Sequence, residues 1–393
     1  MNINSERLAQ VFTALCTIDS PSGGEARLAM FLKDLFAQEF PEAVITEDSS
    51  AGTTGSDANN LVIYFPGSLP GEPIFFNCHL DTVEPARGVK VLREGTRFSS
   101  AGDTVLGGDD KAGIAILIEA VRAIKEAGLS HLPFDLVFTT CEEIGLRGAK
   151  ALDLSLLRAR EGYALDSSGV DLLIIGAPAA NHFHFTVTGA AAHAGLHPER
   201  GINAIQLAAR CLADLPLGRL DEESTANVGR ISGGTATNII PESVLVEGEV
   251  RSHSPEKLAA FSQQIKDTVQ SAIDHWSPEP GAQLEAGVHP RLDFHLTQEY
   301  PAMHLDRNAS VLQRVDRAAT RLQREIRYER AGGGSDANIF NGKGLQAAII
   351  GIGMDHVHST EETIDLRDME RTAELVAVLL TPQNQTKNTI CFT

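Results

Sequence analysis

Histidines and acidic residues that could bind metal ions occur at five separate places in the sequence, most of them at the end of a predicted strand. His79 and Asp81 close the strand predicted over 73–80. Side chains two residues apart on a strand point to the same side, so Asp81 could orient the ring of a metal-binding His79. Asp109 and Asp110 precede an apolar helix and have glycines on both sides. One acid could cap that helix, but the glycines indicate a close approach of the backbone to another group, and Asp109 is the candidate for a carboxylate that bridges two metal ions.

Two adjacent glutamates, Glu142 and Glu143, directly follow another predicted strand. One of them could bind a metal ion while its neighbour takes a proton from metal-bound water. Two solvated loop acids are the alternative interpretation. Asp166 stands at the end of the next strand, and His356 and His358 follow the last one. One member of this histidine pair is enough as a ligand, and the spacing alone leaves the choice open.

The five places are expected to converge, because sites in open α/β sheets lie outside the carboxyl ends of the strands. Nitrogen and oxygen ligands without cysteine suit zinc, with manganese or cobalt as alternatives. Two such ions about 3.5–4 Å apart would polarise a carbonyl group and generate hydroxide near neutral pH. The residue types and their order therefore predict a site for two divalent metal ions.

Helical and strand patterns alternate through the first part of the chain. Helices are predicted over 5–16, 25–39 and 112–127. Strands are predicted over 60–65, 73–80, 133–140 and 161–165. The pattern returns beyond residue 305, with a helix over 308–323 and a strand over 346–352. Strands alternating with helices indicate an α/β domain with a mixed, mostly parallel sheet between helices.

The middle of the chain has a different order of elements: strand, helix, two strands, helix, strand. They are predicted over 182–188, 202–214, 225–231, 243–251, 255–273 and 283–295. This order is typical of a small α+β sandwich of the split βαβ, ferredoxin-like type. The sequence therefore predicts a discontinuous catalytic domain, 1–179 and 296–393, interrupted by an inserted domain, 180–295.

The bulk composition excludes several classes of partner. The 393 residues carry a formal net charge of −19, which disfavours binding to nucleic acid or to an anionic membrane, since both need a basic surface. No apolar run is long enough to cross a membrane, and the first ten residues carry no apolar signal core. The five cysteines are scattered, with no Cys-x-x-Cys pair: Cys16, Cys78, Cys141, Cys211 and Cys391. A reduced cytoplasmic setting is therefore expected.

Taken together, these motifs resemble those of the peptidase T-like branch of the co-catalytic di-zinc exopeptidases. That family also includes aminoacylases, succinyl-diaminopimelate desuccinylase and glutamate carboxypeptidases. The resemblance covers nearly the whole chain. Its signatures are His79-Leu80-Asp81-Thr82, Gly108-Asp109-Asp110-Lys111-Ala112-Gly113, Glu142-Glu143-Ile144-Gly145, Leu165-Asp166-Ser167, and His358 with Glu362 four residues on.

The resemblance implies a role for each of these residues. Five of them would bind the two ions: His79 and Asp166 the first, Glu143 and His358 the second, and Asp109 both. Glu142 would be the general base and would later protonate the leaving amine, while Asp81 would orient His79. His358 is preferred to His356 because the family places a glutamate four residues after its ligand.

The inserted domain carries further resemblances. His193, in Gly189-Ala190-Ala191-Ala192-His193-Ala194-Gly195, matches the family's lid motif and would stabilise the oxyanion, within its own subunit or across a dimer. Asn238 would contact the substrate. Arg251 would bind a substrate carboxylate, or else form a surface ion pair. Ser335, in Gly333-Gly334-Ser335-Asp336, belongs to a segment that resembles a substrate-pocket loop.

The resemblance implies an exopeptidase, in first place an aminopeptidase acting on di- or tripeptides. Its mechanism would use two divalent ions, a hydroxide nucleophile and Glu142 as base. Zinc is the first choice of metal, with manganese or cobalt as alternatives. A homodimer through the lid domain is expected by analogy.

One departure from the family's pattern keeps other functions open. Tripeptidases of this branch carry an arginine directly before their Gly-Gly-Thr-Asp, where it would grip a peptide's terminal carboxylate. This chain has Gly332 at that position. The alternative is a deacylase or carboxypeptidase acting on N-acyl amino acids or related small amides. A non-catalytic binding protein is a further alternative, but it would be marked by a lost ligand or base, and none is lost here.

Overall fold

The computed structural model describes residues 2–382. The helices are α1 (Ser5–Cys16), α2 (Ala26–Glu39), α3 (Ala51–Thr54), α4 (Gly108–Glu126), α5 (Arg147–Ala151), α6 (Ala204–Ala213), α7 (Pro255–Asp274), α8 (Ser310–Leu322), α9 (Asp336–Gly342) and α10 (Leu366–Leu380). The strands are β1 (Val44–Glu47), β2 (Leu61–Phe65), β3 (Ile74–His79), β4 (Val91–Glu94), β5 (Arg97–Ser100), β6 (Phe134–Thr139), β7 (Glu161–Ala164), β8 (Leu172–Ala177), β9 (Ala179–Thr188), β10 (Ala192–His193), β11 (Gly218–Arg219), β12 (Ser224–Gly233), β13 (Ile239–Ile240), β14 (Ser243–Ser252), β15 (Arg291–Tyr300), β16 (Met303–His304), β17 (Arg327–Arg330), β18 (Gln346–Ile350) and β19 (Thr363–Asp365).

The chain divides into two compact units. The first unit extends to Gly176, resumes over His304–Ala331 and continues from Ser335. The second unit comprises Ala177–Met303 together with Gly332–Gly334. Each unit has its own buried apolar cluster.

The first unit is built on a mixed sheet in the order β1-β2-β6-β3-β7-β18-β8-β16, with β17 paired to β8. Its four central strands, β6, β3, β7 and β18, run parallel to one another. The strands β1 and β2 on one side are antiparallel, and so is β8 on the other. The predicted α/β fold class is therefore confirmed. The carboxyl ends of β3, β6 and β7 lie side by side at one edge of this sheet.

Helix α4 is buried along nearly its whole length, because it packs against β3, α1 and α10. Its apolar side chains, such as Leu117 and Ile118, are completely shielded from solvent. Near its start, Gly113 permits a very close approach to the sheet. A methyl group there would lie 2.7 Å from Cys78 Sγ and 2.9 Å from the carbonyl oxygen of Leu165, closer than such atoms pack. This packing holds the first residues of α4 against the ends of β3 and β7.

The second unit is an antiparallel sheet in the order β11-β12-β14-β9-β15, with helices α6 and α7 packed on it. The chain order, β9-α6-β12-β14-α7-β15, is that of the predicted split βαβ sandwich, which is thereby confirmed. Three phenylalanine rings stack nearly parallel in its core: Phe183, Phe185 and Phe294.

The last strand of this unit differs from the prediction. The sequence predicted a strand over 283–295, whereas β15 spans Arg291–Tyr300. Gly287 has a left-handed φ of +83°. Pro290 has no N–H to donate to a neighbouring strand. Pairing with β9 can therefore begin only after this proline, at Arg291.

Some elements are absent from the sequence prediction. Helix α10 and the small sheet β19-β5-β4 are among them. The strands of this sheet are only three or four residues long and carry mixed burial, so they show no clear alternation.

None of the helices within residues 2–382 is both long and apolar enough to span a bilayer. Four cysteines are buried and form no disulfide: Cys16, Cys78, Cys141 and Cys211. Cys391 lies outside the described residues.

Candidate active site

His79 and Asp81 lie where β3 ends in the middle of the sheet, and both side chains are almost completely buried. His79 Nδ1 lies 2.8 Å from the backbone oxygen of Asp81 and 3.6 Å from its carboxylate Oδ1. These contacts orient the ring so that Nε2 points the other way, 2.9 Å from Asp109 Oδ1. The geometry thus suits a ligand whose second nitrogen is held by the protein.

Asp81 also holds the turn that carries the two glutamates. Its Oδ1 accepts the N–H of Glu142 at 2.9 Å, and its Oδ2 accepts the N–H of Glu143 at 3.2 Å. The hydroxyl of Ser22 donates to the same Oδ2 at 2.6 Å. Burial opposes the charge of Asp81, but its contact with His79 and these hydrogen bonds outweigh burial and lower its pKa. Asp81 therefore stays ionised. It contacts His79 at the end of β3 and also holds the turn after β6, whereas the sequence predicted only its contact with His79.

A second buried carboxylate, Glu25, holds the same turn from the other side and was not predicted. Cys141, at the end of β6, has a left-handed φ of +52°. Its N–H donates to Glu25 Oε1 at 3.0 Å, and the hydroxyl of Ser56 donates to Oε2 at 2.6 Å. Glu25 lies 116 residues before Cys141 in the chain, so no local sequence pattern could have revealed this contact.

Asp109 lies at the start of α4 in a non-helical conformation, and its peptide bond to Asp110 is cis. Its two oxygens face different histidines. Oδ1 lies 2.9 Å from His79 Nε2, and Oδ2 lies 3.3 Å from His358 Nε2. The neighbouring Asp110 instead accepts the backbone N–H of His79 at 3.2 Å. Of the two acids, Asp109 is therefore the one whose carboxylate faces both histidines.

The structure brings His358 to the cluster and leaves His356 outside it. His358 Nε2 lies 3.0 Å from Glu143 Oε2. His356 is more than half exposed and pairs with Asp355 at 3.1 Å. Both histidines have left-handed backbone conformations, with φ of +52° at His356 and +61° at His358. The spacing of the two histidines in the sequence did not reveal this turn, so it could not show which histidine faces the cluster.

Within the described chain, three groups of side chains have potential ligand atoms within 4.8 Å of one another. They are His79, Asp109 and Asp166; Asp109, Glu143 and His358; and His79, Glu142 and Glu143. The first two groups together contain all five predicted metal ligands and share only Asp109. The third contains Glu142, the predicted base, as an alternative ligand.

The chemistry of this cluster fits two divalent cations. Its carboxylates outnumber its imidazoles, and buried anions need a compensating charge. One oxygen of Glu143, Oε1, is buried and has no hydrogen-bond partner among the described residues. Such an oxygen is free to bind a cation. The donor set is nitrogen and oxygen only, which suits zinc, manganese or cobalt.

The carboxylates raise the affinity of both histidines for protons. Burial disfavours the charged form of His79, but contacts with Asp109 and Asp81 outweigh burial and raise its pKa well above the usual value. Hydrogen bonds to Asp109 and Glu143 raise the pKa of His358 to about 10.

The carboxylates themselves differ in their environments. Burial raises the pKa of Glu142, which favours its protonated form. Burial and the neighbouring charge of Asp109 raise the pKa of Asp166. Asp109 is buried too, but hydrogen bonds with His358 and His79 outweigh its burial and lower its pKa. Asp109 is thus the carboxylate most strongly held in the ionised form.

Metal binding is expected to release protons at neutral pH. With a pKa of about 10, His358 is protonated at pH 7 and must lose that proton to bind an ion. Calorimetric titration of chelator-stripped protein with Zn²⁺ in two buffers of different ionisation enthalpy measures the release, and we expect about one proton or more per ion. The release should decrease as the pH rises through about 10, because His358 then loses its proton beforehand. A binding heat that is the same in both buffers at pH 7 would contradict this expectation.

Ser335, a predicted substrate contact, has its side chain engaged within the fold. It is buried and begins α9, where its hydroxyl accepts the N–H of Ala337 at 3.2 Å and its own N–H donates to Asn338 at 3.0 Å. The next residue, Asp336, accepts a hydrogen bond from Thr139, and burial raises its pKa to about 6. A contact of Ser335 with substrate stays a prediction.

In the second unit, His193 ends β10, and Asn238 directly precedes β13, the strand that pairs with β10. His193 pairs with Ile239, and the N–H of Ala194 donates to the carbonyl oxygen of Asn238 at 2.9 Å. The fold of this unit therefore brings the two predicted substrate-facing residues together, although they are far apart in the sequence.

Arg251, at the end of β14, forms an ion pair within its own strand. Its Nη2 donates to Glu249 Oε2 at 3.0 Å. This is the ion pair that the sequence left open as an alternative role. The guanidinium also approaches the Gly332–Gly334 segment, since a methyl group on Gly333 would lie 3.6 Å from Arg251 Nη1.

Two protein-family models match this chain. Residues 175–277 match the M20 peptidase dimerisation domain. Residues 88–170 and 302–375 match the M42 glutamyl aminopeptidase family. The second match includes five residues of the cluster: Asp109, Glu142, Glu143, Asp166 and His358.

The chain is also similar to whole proteins. It is 36% identical over 379 residues to the uncharacterised protein YqjE of Bacillus subtilis strain 168, covering 96% of this chain and 98% of that one. It shares 36% identity with the crystal structure of aminopeptidase PepT from Bacillus cereus ATCC 10987, with a TM-score of 0.83 over 96% of this chain and 98% of that one. It shares 32% identity with a tripeptidase from Staphylococcus aureus subsp. aureus Mu50, with a TM-score of 0.87 over 97% and 99% of the two chains.

Proposed function

The chain belongs to the peptidase T-like branch of the M20 metallopeptidase family, and we propose that it is an aminopeptidase that removes the N-terminal residue of di- or tripeptides. The observation that carries this proposal is the cluster at the carboxyl ends of the central strands, in which Asp109 belongs to two groups of potential ligands. The similarity to structures named as an aminopeptidase and a tripeptidase supports the choice of substrate.

The proposed cofactor is a pair of divalent ions, zinc in first place. His79 and Asp166 would hold one ion, Glu143 and His358 the other, and Asp109 both. When bound, such ions polarise the scissile carbonyl group and activate the attacking water. Asp81 would keep the His79 ring in its binding orientation.

Glu142 is proposed to move the proton. Its carboxylate would accept a proton from the attacking water and later give it to the leaving amine. Its backbone N–H is anchored on Asp81, which keeps the residue in place while its side chain remains available. Burial raises its pKa and so stabilises the intermediate stage in which Glu142 holds the proton.

The proposed role of His193 is to donate a hydrogen bond to the oxyanion. Its Nδ1 accepts the N–H groups of Gly195 and Leu196, both at 3.2 Å. In the neutral ring the proton therefore resides on Nε2, which makes Nε2 a donor. This tautomer is the one that oxyanion stabilisation requires. Asn238, directly before the neighbouring strand β13, and Arg251 are proposed to contact the substrate.

We propose that residues 180–295 form a lid and homodimerisation domain and that residues 1–179 and 296–393 form the catalytic domain. The match of residues 175–277 to the peptidase dimerisation domain supports the dimer. The buried cysteines without disulfides within residues 2–382 support a reducing compartment such as the cytoplasm.

A panel of substrates tests the function directly. Metal-loaded protein is incubated with free-amine di- and tripeptides and with the same peptides acetylated at the N-terminus, in the presence of Zn²⁺, Mn²⁺ or Co²⁺. An aminopeptidase releases the N-terminal residue from the free peptides only. Hydrolysis of the acetylated substrates alone would reject the proposal in favour of a deacylase or carboxypeptidase.

That alternative is favoured by a single observation, the absence of the tripeptidase arginine at Gly332. The first carbon of a side chain fits at this position, since an added methyl group meets no atom within 4 Å. If the chain is an aminopeptidase of this branch, Gly332→Arg should lower KM for tripeptides about tenfold, because a hydrogen bond to a charged carboxylate contributes roughly 1.5–3 kcal/mol. Steady-state kinetics with a tripeptide and its C-terminal amide measure the effect. Gly332→Gln is the uncharged control, and an equal change in both variants would contradict the carboxylate explanation.

A further inference from the structure

Glu362 is a buried carboxylate at the edge of the cluster that belongs to none of the three groups of potential ligands. Only 2% of the residue is exposed. Its Oε2 accepts the backbone N–H groups of Leu106 and Gly107, both at 2.8 Å. Its Oε1 accepts the backbone N–H of Asp109 at 3.0 Å. One side chain thus binds three main-chain donors of a single short segment.

The segment from Leu106 to Asp109 leads into the start of α4 and departs from helical geometry at Gly107 and Asp109. Gly107 has a left-handed φ of +78°, and Asp109 has a ψ of 103°, outside the helical region. The first N–H groups of a helix lack partners within the helix. Glu362 supplies the missing acceptors, so the conformation that presents the Asp109 carboxylate depends on it.

Glu362 itself lies in a short loop, residues 355–363, that also carries one of the proposed metal ligands. Two backbone hydrogen bonds between Asp355 and Thr363, both 2.9 Å, close the base of this loop. His358, which faces Asp109 and Glu143, lies inside it, and so does Glu362. One closed loop therefore contributes a direct ligand to the cluster and, through Glu362, fixes the backbone of the carboxylate that both ligand groups share.

We propose that Glu362 is a positioning residue for the metal pair, which it serves by holding the Asp109 carboxylate in its bridging position relative to His358. The inference rests on the proposed metal cluster but not on the identity of the peptide substrate. Residues that orient metal ligands typically contribute 10–100-fold to metal affinity, which sets the scale of the expected effect.

Glu362→Gln tests this role with little change in size. An amide cannot offer acceptors on both sides, so at least one of the three main-chain donors loses its partner. Glu361→Gln is the matched control, because Glu361 is the exposed preceding residue and its substitution removes the same charge. Zinc-loaded proteins are challenged with a chelator of known affinity, and the zinc retained per chain is measured by atomic absorption. We expect roughly a 10–100-fold loss of affinity in Glu362→Gln and none in Glu361→Gln.

A second variant displaces the carboxylate without removing it. A methyl group on Gly108 would lie 2.9 Å from Glu362 Oε1 and no closer than 3.8 Å to any other atom. Gly108→Ala should therefore push Glu362 away from the Asp109 N–H and weaken zinc retention in the same direction, and it carries the test if Glu362→Gln does not fold. Thermal melting of the stripped proteins separates the metal effect from a general loss of stability.

The outcomes separate this inference from the proposed function. Wild-type affinity in both Glu362→Gln and Gly108→Ala would overturn the positioning role alone. An equal loss in Glu361→Gln would also overturn it, because net charge would then be the cause. A wild-type chain that retains no zinc would overturn the metal cluster and this inference with it. Zinc retention without peptide hydrolysis would leave the role of Glu362 intact and reject only the substrate.

Discussion

Glu142→Gln is expected to lower kcat for tripeptide hydrolysis by about 10²–10⁴-fold while the protein keeps both metal ions. The amide has nearly the same size and can still accept hydrogen bonds, but it cannot take up a proton. Its backbone N–H remains anchored on Asp81, so the turn should survive. The measurement is a rate assay on metal-loaded protein, paired with metal content by atomic absorption.

The neighbouring Glu143→Gln is the contrasting variant. Glu143 lies 3.0 Å from His358 and has a buried oxygen without a hydrogen-bond partner in the described chain, so its loss should reduce metal content as well as rate. The comparison matters because Glu142 also belongs to a potential ligand group with His79 and Glu143. If Glu142→Gln loses an ion, Glu142 is a ligand and the assignment of the base is wrong.

Asp109→Asn should have the second large effect, because Asp109 is the residue that both proposed ligand groups share. An amide offers one oxygen and no negative charge, so it could not bind both ions as the carboxylate is proposed to do. We expect fewer than two ions per chain and a loss of more than about 10³-fold in kcat, since each metal contributes several kcal/mol to the transition state. Metal content and rate are measured on the same preparation.

Asp110→Asn is the matched control for this variant. Asp110 adjoins Asp109 but belongs to none of the three groups of potential ligands, and it accepts the backbone N–H of His79, which an amide oxygen can also accept. Asp110→Asn should keep two ions. An equal loss of metal in both variants would show that the start of α4, and not the bridging carboxylate, determines binding.

Local patterns were sufficient for most of the fold. Apolar runs followed by polar residues located β3, β6 and β7 to within a residue or two, because strand burial leaves a continuous apolar signal. The order of elements identified the split βαβ sandwich before any contact was known. The prediction was wrong where the signal was weak, as for β15, whose start depends on Pro290 and on pairing with β9.

The candidate site was predictable in part for the same reason. His79, Glu142 and Asp166 stand at or just after strand ends, and parallel strands carry such residues to one edge of a sheet. The assignment of particular tasks relied on the family resemblance. Arg251 was left between two roles, and the structure shows its ion pair with Glu249 without testing contact with a substrate.

The sequence by itself determined which residues could bind metal and which strands would present them, because strand burial and strand ends are properties of adjacent residues. The family resemblance favoured His358 over His356, but only the tertiary structure showed that His358 lies against Asp109 and Glu143 while His356 pairs with Asp355, because the fold of the loop sets these contacts. It also showed the contacts of Glu362 and Glu25, which accept N–H groups 253 and 116 residues away in the chain. Hydrogen bonds between such distant segments leave no periodic trace in a sequence, so they appear only when the chain is folded.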